Sequence, residues 1–509
     1  MATWNYENAA HLLRRAAFGG TPTQIQEFLD RHASVESAVA ELLSFPPSSK
    51  KPPAAPFVDD FRRLKAQRWW VKEMVKARTP RDACREKLTL FWHNHLASGA
   101  SKQPNMRYVA FQNALFRRNA RGNFKTLVRE FNRDPANLYY LDGITNVASL
   151  DGVHVSANEN FGRELLELFT LGVFQLGPDG RPDPALPNYT EDDVHQLSRA
   201  CTGWTSIRGS QGVWNEDDWD GGRYDDDGSD PPSPDPVTIF GVTNDGFRID
   251  DAVAGTPDDV LGLIFSRTDA DGNNQVGMHL ARKLWTWFAY PPPAPGLKAV
   301  FAELAAAFAG ADFDVTALLT ALFTHEEFYS ARAKSRTVKN PVDFVVGSMK
   351  ALGYKKTNGQ VIGDADRELG DMLRLMGMNL FEPPNVAGWP GGLAWINSGT
   401  LIARLEFARA LARADFGANR LVLRVAFPTL FPNPAASPGV VVDTVLHTLG
   451  LDLPPLGLTA AQRATLVDYV TDGGTNPTLD LSSETTNDAR VKLRGLVSLA
   501  LQSAEHQIF

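Results

Sequence analysis

Apolar residues recur at spacings of three and four along most of the chain, the period of an amphipathic helix. Ile25, Phe28 and Leu29 open one such run, and Val35, Val39 and Leu42-Leu43 form the next. The same pattern covers residues 60–76, 81–96, 107–132, 158–172, 190–202, 276–289, 296–309, 339–352, 364–376, 398–412 and 485–503. Strand-like alternation is scarce, and Val237-Thr238-Ile239-Phe240 is the best candidate. Proline lacks the amide donor and clashes with the preceding turn. It therefore marks loops at Phe45 to Pro56, Gly177 to Pro187, Pro291-Pro292-Pro293 and Pro432-Asn433-Pro434. The expectation is an all-α protein of many short-to-medium helices in one large globular unit, with long irregular loops. Residues 1–415 are expected to form a helical core carrying the site, with a helical region over 416–509 packed on it. No fixed-period repeat suggests a solenoid.

Composition narrows the classes. With 43% hydrophobic and 22% charged residues over 509 positions, there is ample material for a core. The net charge of −8, with no dense Lys/Arg block, argues against nucleic acid or an anionic membrane surface as partner. No stretch approaches the ~18 apolar residues of a membrane span. The first residues, Met1 to Asn8, start no apolar signal core, which predicts a cytoplasmic protein. Arg14-Arg15 reads as part of a solvated helix face. The two cysteines, Cys84 and Cys201, are too few for a disulfide framework or a four-thiolate zinc site, although one bridge between them stays open.

Four segments carry candidate chemistry. In Leu88-Thr89-Leu90-Phe91-Trp92-His93-Asn94-His95, the two imidazoles lie ~200° apart on a helix and converge only if it ends there, with Ser98-Gly99 as a plausible stop. Converging imidazoles would suit metal ligation or acid–base work, whereas diverging ones would be one core and one surface histidine. From Asn158 to Gly172, Phe161, Leu165, Leu168 and Phe169 form an apolar stripe beside a second stripe of Asn160, Glu164, Glu167 and Leu171. Carboxylates on such an enclosed helix are costly unless paired, hydrogen-bonded or metal-bound. An Arg163–Glu167 ion pair is the simple alternative.

The third segment is acidic: Glu216, Asp217, Asp218, Asp220, Asp225, Asp226, Asp227, Asp230 and Asp235, with Arg223 the only basic residue among them. It would suit calcium or merely be solvated, and Asp269 to Asn273 is a second calcium candidate. The fourth, Glu382 to Gly392 with Trp395, presents Asn385, Trp389 and Trp395, either to stack on a flat ligand or as a packed plug.

Taken in order, His11-Leu12-Leu13-Arg14-Arg15-Ala16-Ala17-Phe18-Gly19, the Phe91 to His95 block, Asn158 to Gly172, and Tyr189 to Val194 leading to Thr202-Gly203-Trp204 form a series. With Pro383 to Gly392 and the closing Leu501 to Gln507, that series resembles the bacterial domain of unknown function 1800 family. The resemblance implies an all-α single unit. It also implies company with an exported sulfatase-like partner, and with it partner-assisted export to the periplasm. One departure stands out: where the family often has a His-Asp-x-Gly-x-Lys block, this chain has Asp225-Asp226-Asp227-Gly228 and no lysine.

The leading expectation is an enzyme, hydrolytic or oxidative, gathering His93, His95, Glu164 and Glu167 as catalytic groups or as ligands to zinc, iron or manganese. Asn158, Glu159 and Asp192 would orient them, and Asn158, Asn385, Trp389 and Trp395 would meet the substrate. The rival is a non-catalytic scaffold that binds carbohydrate or a sulfatase-like protein.

Overall fold

In the computed structural model the described residues are 2–53, 60–146, 149–150, 153–154, 157–201, 237–244, 260–353, 355–356, 365–413, 423–424, 437–475 and 487–509. The acidic segment 216–230 with Asp235, the Asp225 departure, Thr202-Gly203-Trp204 and Pro432 to Pro434 lie outside them.

The fold is predominantly α-helical, and one continuous apolar core runs from the first helix to the last. Described strands occur only as four two-stranded antiparallel ladders. Val237–Ile239 is indeed a strand and pairs with Val242–Asn244. The segment expected as a loop at Gly177 to Pro187 instead holds a hairpin, Phe174–Leu176 against Pro182–Pro187, with an irregular register. Its prolines are tolerated because a two-stranded ribbon has only edges. The expected run 107–132 divides into helices Met106–Arg118 and Phe124–Asn132. The second is capped by Asn123, whose side chain accepts the Thr126 amide.

Helices Pro438–Leu449, Ala460–Thr471 and Asn487–Gln502 pack on one another, and the last also packs on Ser398–Arg413. No helix among the described residues is long and apolar enough to cross a membrane. Both cysteines are buried free thiols, and burial pushes the Cys84 thiol up to about 12.

Arg15 departs from its expected place on a solvated face. It is 1% exposed, and its guanidinium donates to the carbonyls of Phe288 and Ala289. The last carbonyls of a helix have no intrahelical partner, and here a side chain from the first helix satisfies them. That contact fixes the end of Gln275–Phe288. A second buried anchor joins Arg117 to Glu86 through two bonds of 2.9 Å, with the Trp70 indole donating to the same carboxylate at 3.1 Å. A third pairs Lys87 with Asp343.

Candidate functional site

The histidine-bearing helix spans Pro80–His95. Thr79 caps it by accepting the Asp82 amide, and Pro80 occupies the first turn, where its missing donor costs nothing. It ends at His95, three residues before Ser98, because Leu96 leaves the helical region. The geometry stays helical through both histidines, so the rings diverge. His93 points among Trp70, Phe381 and Trp389, at centroid distances of 5.0–5.5 Å in that cluster. His95 stacks on Phe91 and faces His279, with ring centroids 6.0 Å apart.

Both imidazoles serve backbone groups. The Phe381 amide donates to His93 Nε2 at 3.2 Å, so that nitrogen carries the lone pair. His95 Nε2 lies 3.1 Å from the Phe169 carbonyl, which can only accept; the proton therefore sits on Nε2. Its Nδ1 is buried with no hydrogen-bond partner among the described residues. Burial pulls both histidines down to about 3.

The Phe169 carbonyl belongs to an unusual turn. Helix Glu159–Glu164 is capped by Asn158, which accepts the Asn160 amide at 3.0 Å, and continues as a π-helical turn over Leu165–Thr170. The Leu171 amide reaches back to the Leu166 carbonyl, and the Thr170 hydroxyl closes on Leu165 at 2.6 Å. Such wide turns are frequent at functional sites. Here Leu168 and Phe169 present their carbonyls outward, and two imidazoles donate to them: His279 to Leu168 at 3.0 Å and His95 to Phe169. Gly172 follows at φ +76°, where a Cβ would lie 2.5 Å from His279 Nδ1. Only glycine lets that ring approach.

The same helix carries Glu164 and Glu167, both half-buried. The expected Arg163–Glu167 pair does not form. Arg163 instead leans back to Glu159 at 2.9 Å and across to Glu191 at 2.7 Å, following the N-terminal tilt of helical side chains. Glu164 and Glu167 are thus left without a hydrogen bond or ion pair to any described residue. Burial, and then the Glu167 charge, raise the Glu164 carboxyl to about 7 against a small opposing pull from Arg163. The neighbouring phenols of Tyr140 and Tyr189 are raised too, by burial first and then by nearby glutamates, Glu382 at Tyr140 and Glu167 at Tyr189.

Glu167 also borders a cavity of about 320 Å³ between the π turn, the hairpin and the Gln275–Phe288 helix. That helix lines it with Gln275, Met278, His279, Arg282 and Lys283, one face at three-to-four-residue spacing. Burial lowers Lys283 to about 8, with Arg282 adding to the effect.

The four expected ligands are therefore divided. His95, Glu164 and Glu167 belong to elements that meet at the π turn, whereas His93 sits with the tryptophan loop. Among the described residues no group of three or more His, Cys, Asp or Glu side chains is placed to hold a metal ion. Asn158 and Glu159 are occupied by the helix cap and the Arg163 pair, and Asp192 is exposed. Trp389 and Trp395 are 5% and 4% exposed, the arrangement of a packed plug, and Asn385 accepts the Ala387 amide within its own turn. The loop is locked to the histidine helix: the Trp389 amide donates to Asn94 Oδ1 at 2.7 Å, and a Cβ on Gly388 would meet the Asn94 carbonyl. Asp269 likewise spends an oxygen on the amides of Asp271 and Asn273. Sequence reasoning missed His279, Arg282, Lys283 and the π turn. The legible signal was the polar set His279, Arg282 and Lys283 at i, i+3 and i+4 on an otherwise apolar helix.

The family whose description reads "Protein of unknown function (DUF1800)" matches residues 11–508. The chain belongs to this DUF1800 family. No curated protein and no solved structure matches it. Membership accounts for the motif order from His11 to Gln507 and leaves the chemistry to be argued from the site.

Proposed function

We propose that this DUF1800 protein is an enzyme whose acid–base pair is Glu164 and Glu167, with His95 and His279 holding the turn that carries them. One observation supports the reading above all: two half-buried carboxylates, one turn apart, make no hydrogen bond or close ion pair with any described residue. Burying charge without compensation is costly, and a helix kept only for stability would replace it. Burial and the neighbouring like charge push the Glu164 carboxyl up, which suits the two glutamates to different roles. Glu164, at about 7, holds the proton to be donated to a leaving group. Glu167, at the cavity rim, accepts a proton from water or from substrate. A hydrolytic reaction uses both.

Hydrolysis of a panel of fluorogenic carboxylic esters, glycosides, and phosphate and sulfate esters tests this, with Glu164→Gln and Glu167→Gln beside the wild type. Each substitution should lower kcat by ~10²–10⁴, the range for general acid–base groups, with circular dichroism unchanged. Full activity in both folded variants would refute the assignment. Metal content of untagged protein is the companion measurement. Stoichiometric zinc, iron or manganese that survives in both variants would move the chemistry elsewhere. A non-catalytic scaffold, acting with a sulfatase-like partner outside the cytoplasm, is the reading that such a failure would leave.

A further inference from the structure

The cavity beside Glu167 contains more positive charge than the acid–base reading uses. Arg282 and Lys283 both line it, and neither forms an ion pair with a described carboxylate. Arg282 Nε is buried without a hydrogen-bond partner among the described residues. Three fully buried cations elsewhere in the fold are answered: Lys87 by Asp343, Arg117 by Glu86, and Arg15 by two carbonyls. Two adjacent cations turned toward a cavity repel each other and lose hydration, a cost that an anion would remove.

We infer that Arg282 and Lys283 form a subsite for the oxyanion head of a monoanionic ligand with an apolar tail, a carboxylate being the simplest. The charge count limits the ligand. Two cations face one carboxylate, Glu167, across the same cavity, so a single negative charge brings the site to neutrality. Guanidinium and ammonium together suit an oxyanion, the first by its planar fork and the second as a point charge. The rest of the wall is mostly apolar, with Leu171 and Met278 among its residues beside Gln275, and the volume of about 320 Å³ admits only a small molecule. His279 contributes no charge, because burial holds it neutral and its Nε2 proton is committed to Leu168. The subsite deepens the proposed function by naming a substrate class, and rests on that reading only for what happens to the ligand once bound.

Calorimetric titration of the full chain at low ionic strength and pH 7 separates the two claims. The probes are sodium hexanoate, inorganic sulfate and inorganic phosphate. Hexanoate should bind saturably and more tightly than either inorganic ion, and Arg282→Gln or Lys283→Gln should weaken it at least tenfold. Arg118→Gln, on an exposed ion pair elsewhere, should leave it unchanged. Glu164→Gln should keep hexanoate binding while losing turnover, so failure of one claim is visible without the other. Lys283→Met in anion-free buffer should raise Tm, since it removes an unanswered cation; a structural lysine would lower it. Absence of saturable binding, equal affinity in the variants, inorganic ions binding as tightly as hexanoate, or a lower Tm for Lys283→Met would each overturn the inference.

Discussion

Gly172→Ala would test the link between the π turn and its histidines most sharply. The residue sits at φ +76°, and its new Cβ would lie 2.5 Å from His279 Nδ1 and 3.2 Å from Cε1. Holding alanine in the left-handed region costs about 1 kcal/mol. Pushing the imidazole away sacrifices its bond to the Leu168 carbonyl, ~1 kcal/mol, and disturbs a packed wall for roughly another 1 kcal/mol. The sum is about 3 kcal/mol. With an unfolding entropy near 2.1 cal/mol/K per residue, a chain of 509 residues should lose about 3 °C in Tm. Differential scanning calorimetry would read the shift. The decisive control repeats Gly172→Ala in a His279→Ala background, where only the ~1 kcal/mol of backbone strain should persist. Equal costs in both backgrounds, or a cost under ~0.5 kcal/mol in the wild type, would refute the idea that Gly172 exists to admit the ring.

Further consequences concern charge. Glu164 has its folded pKa raised from the usual 4.5 to about 7, so its contribution to stability is complete below pH 4.5 and is lost as pH rises through 7. Glu164→Gln should therefore gain on the wild type across that window, by on the order of 1 kcal/mol after allowance for partial solvent exposure, as urea denaturation at several pH values would show. His95 runs the opposite way: its folded pKa falls to about 3, so its contribution is intact above 6.5 and lost on acidification toward 3. His95→Gln, which retains a donor for Phe169, should flatten the acid limb of the stability curve, and an unchanged acid limb would contradict the buried neutral ring. Arg117→Ala should cost ~3–5 kcal/mol in the same assay, because it strands the buried Glu86 carboxylate.

Much of the helical fold was legible because its helices bury one face and so repeat at the helical period. Several helices lay outside those runs, Pro135–Tyr140 and Val260–Ser266 among them. Val315–Thr324 is apolar almost throughout, and a short apolar run has no period to read. Pro438–Leu449 is rich in valine, and Ala460–Thr471 has no continuous stripe. Both depend on packing against Asn487–Gln502, a tertiary effect that local propensity does not carry. At the site, the Glu164/Glu167 stripe was readable as enclosed carboxylates. The divergence of His93 and His95 followed from helical geometry once the helix was known to stay regular through both. What sequence could not show was the direction of Arg163, which chose Glu159 and Glu191 over Glu167, or the widening of Leu165–Thr170. Each is decided by which neighbouring groups stand within reach, and some of those groups, such as Glu191 and His279, come from other elements of the fold.

The central claim is that Glu164, beside Glu167, keeps its proton near neutrality. Infrared difference spectroscopy on protein labelled with ¹³C-glutamate, with Glu164→Gln as the subtraction control, reads that carboxyl directly and needs no substrate. A protonated-carboxyl band belonging to Glu164 should disappear around pH 7, and its midpoint should fall in Glu167→Gln as the like charge is removed. A Glu164 band already gone by pH 5, or a midpoint indifferent to Glu167, would contradict the account.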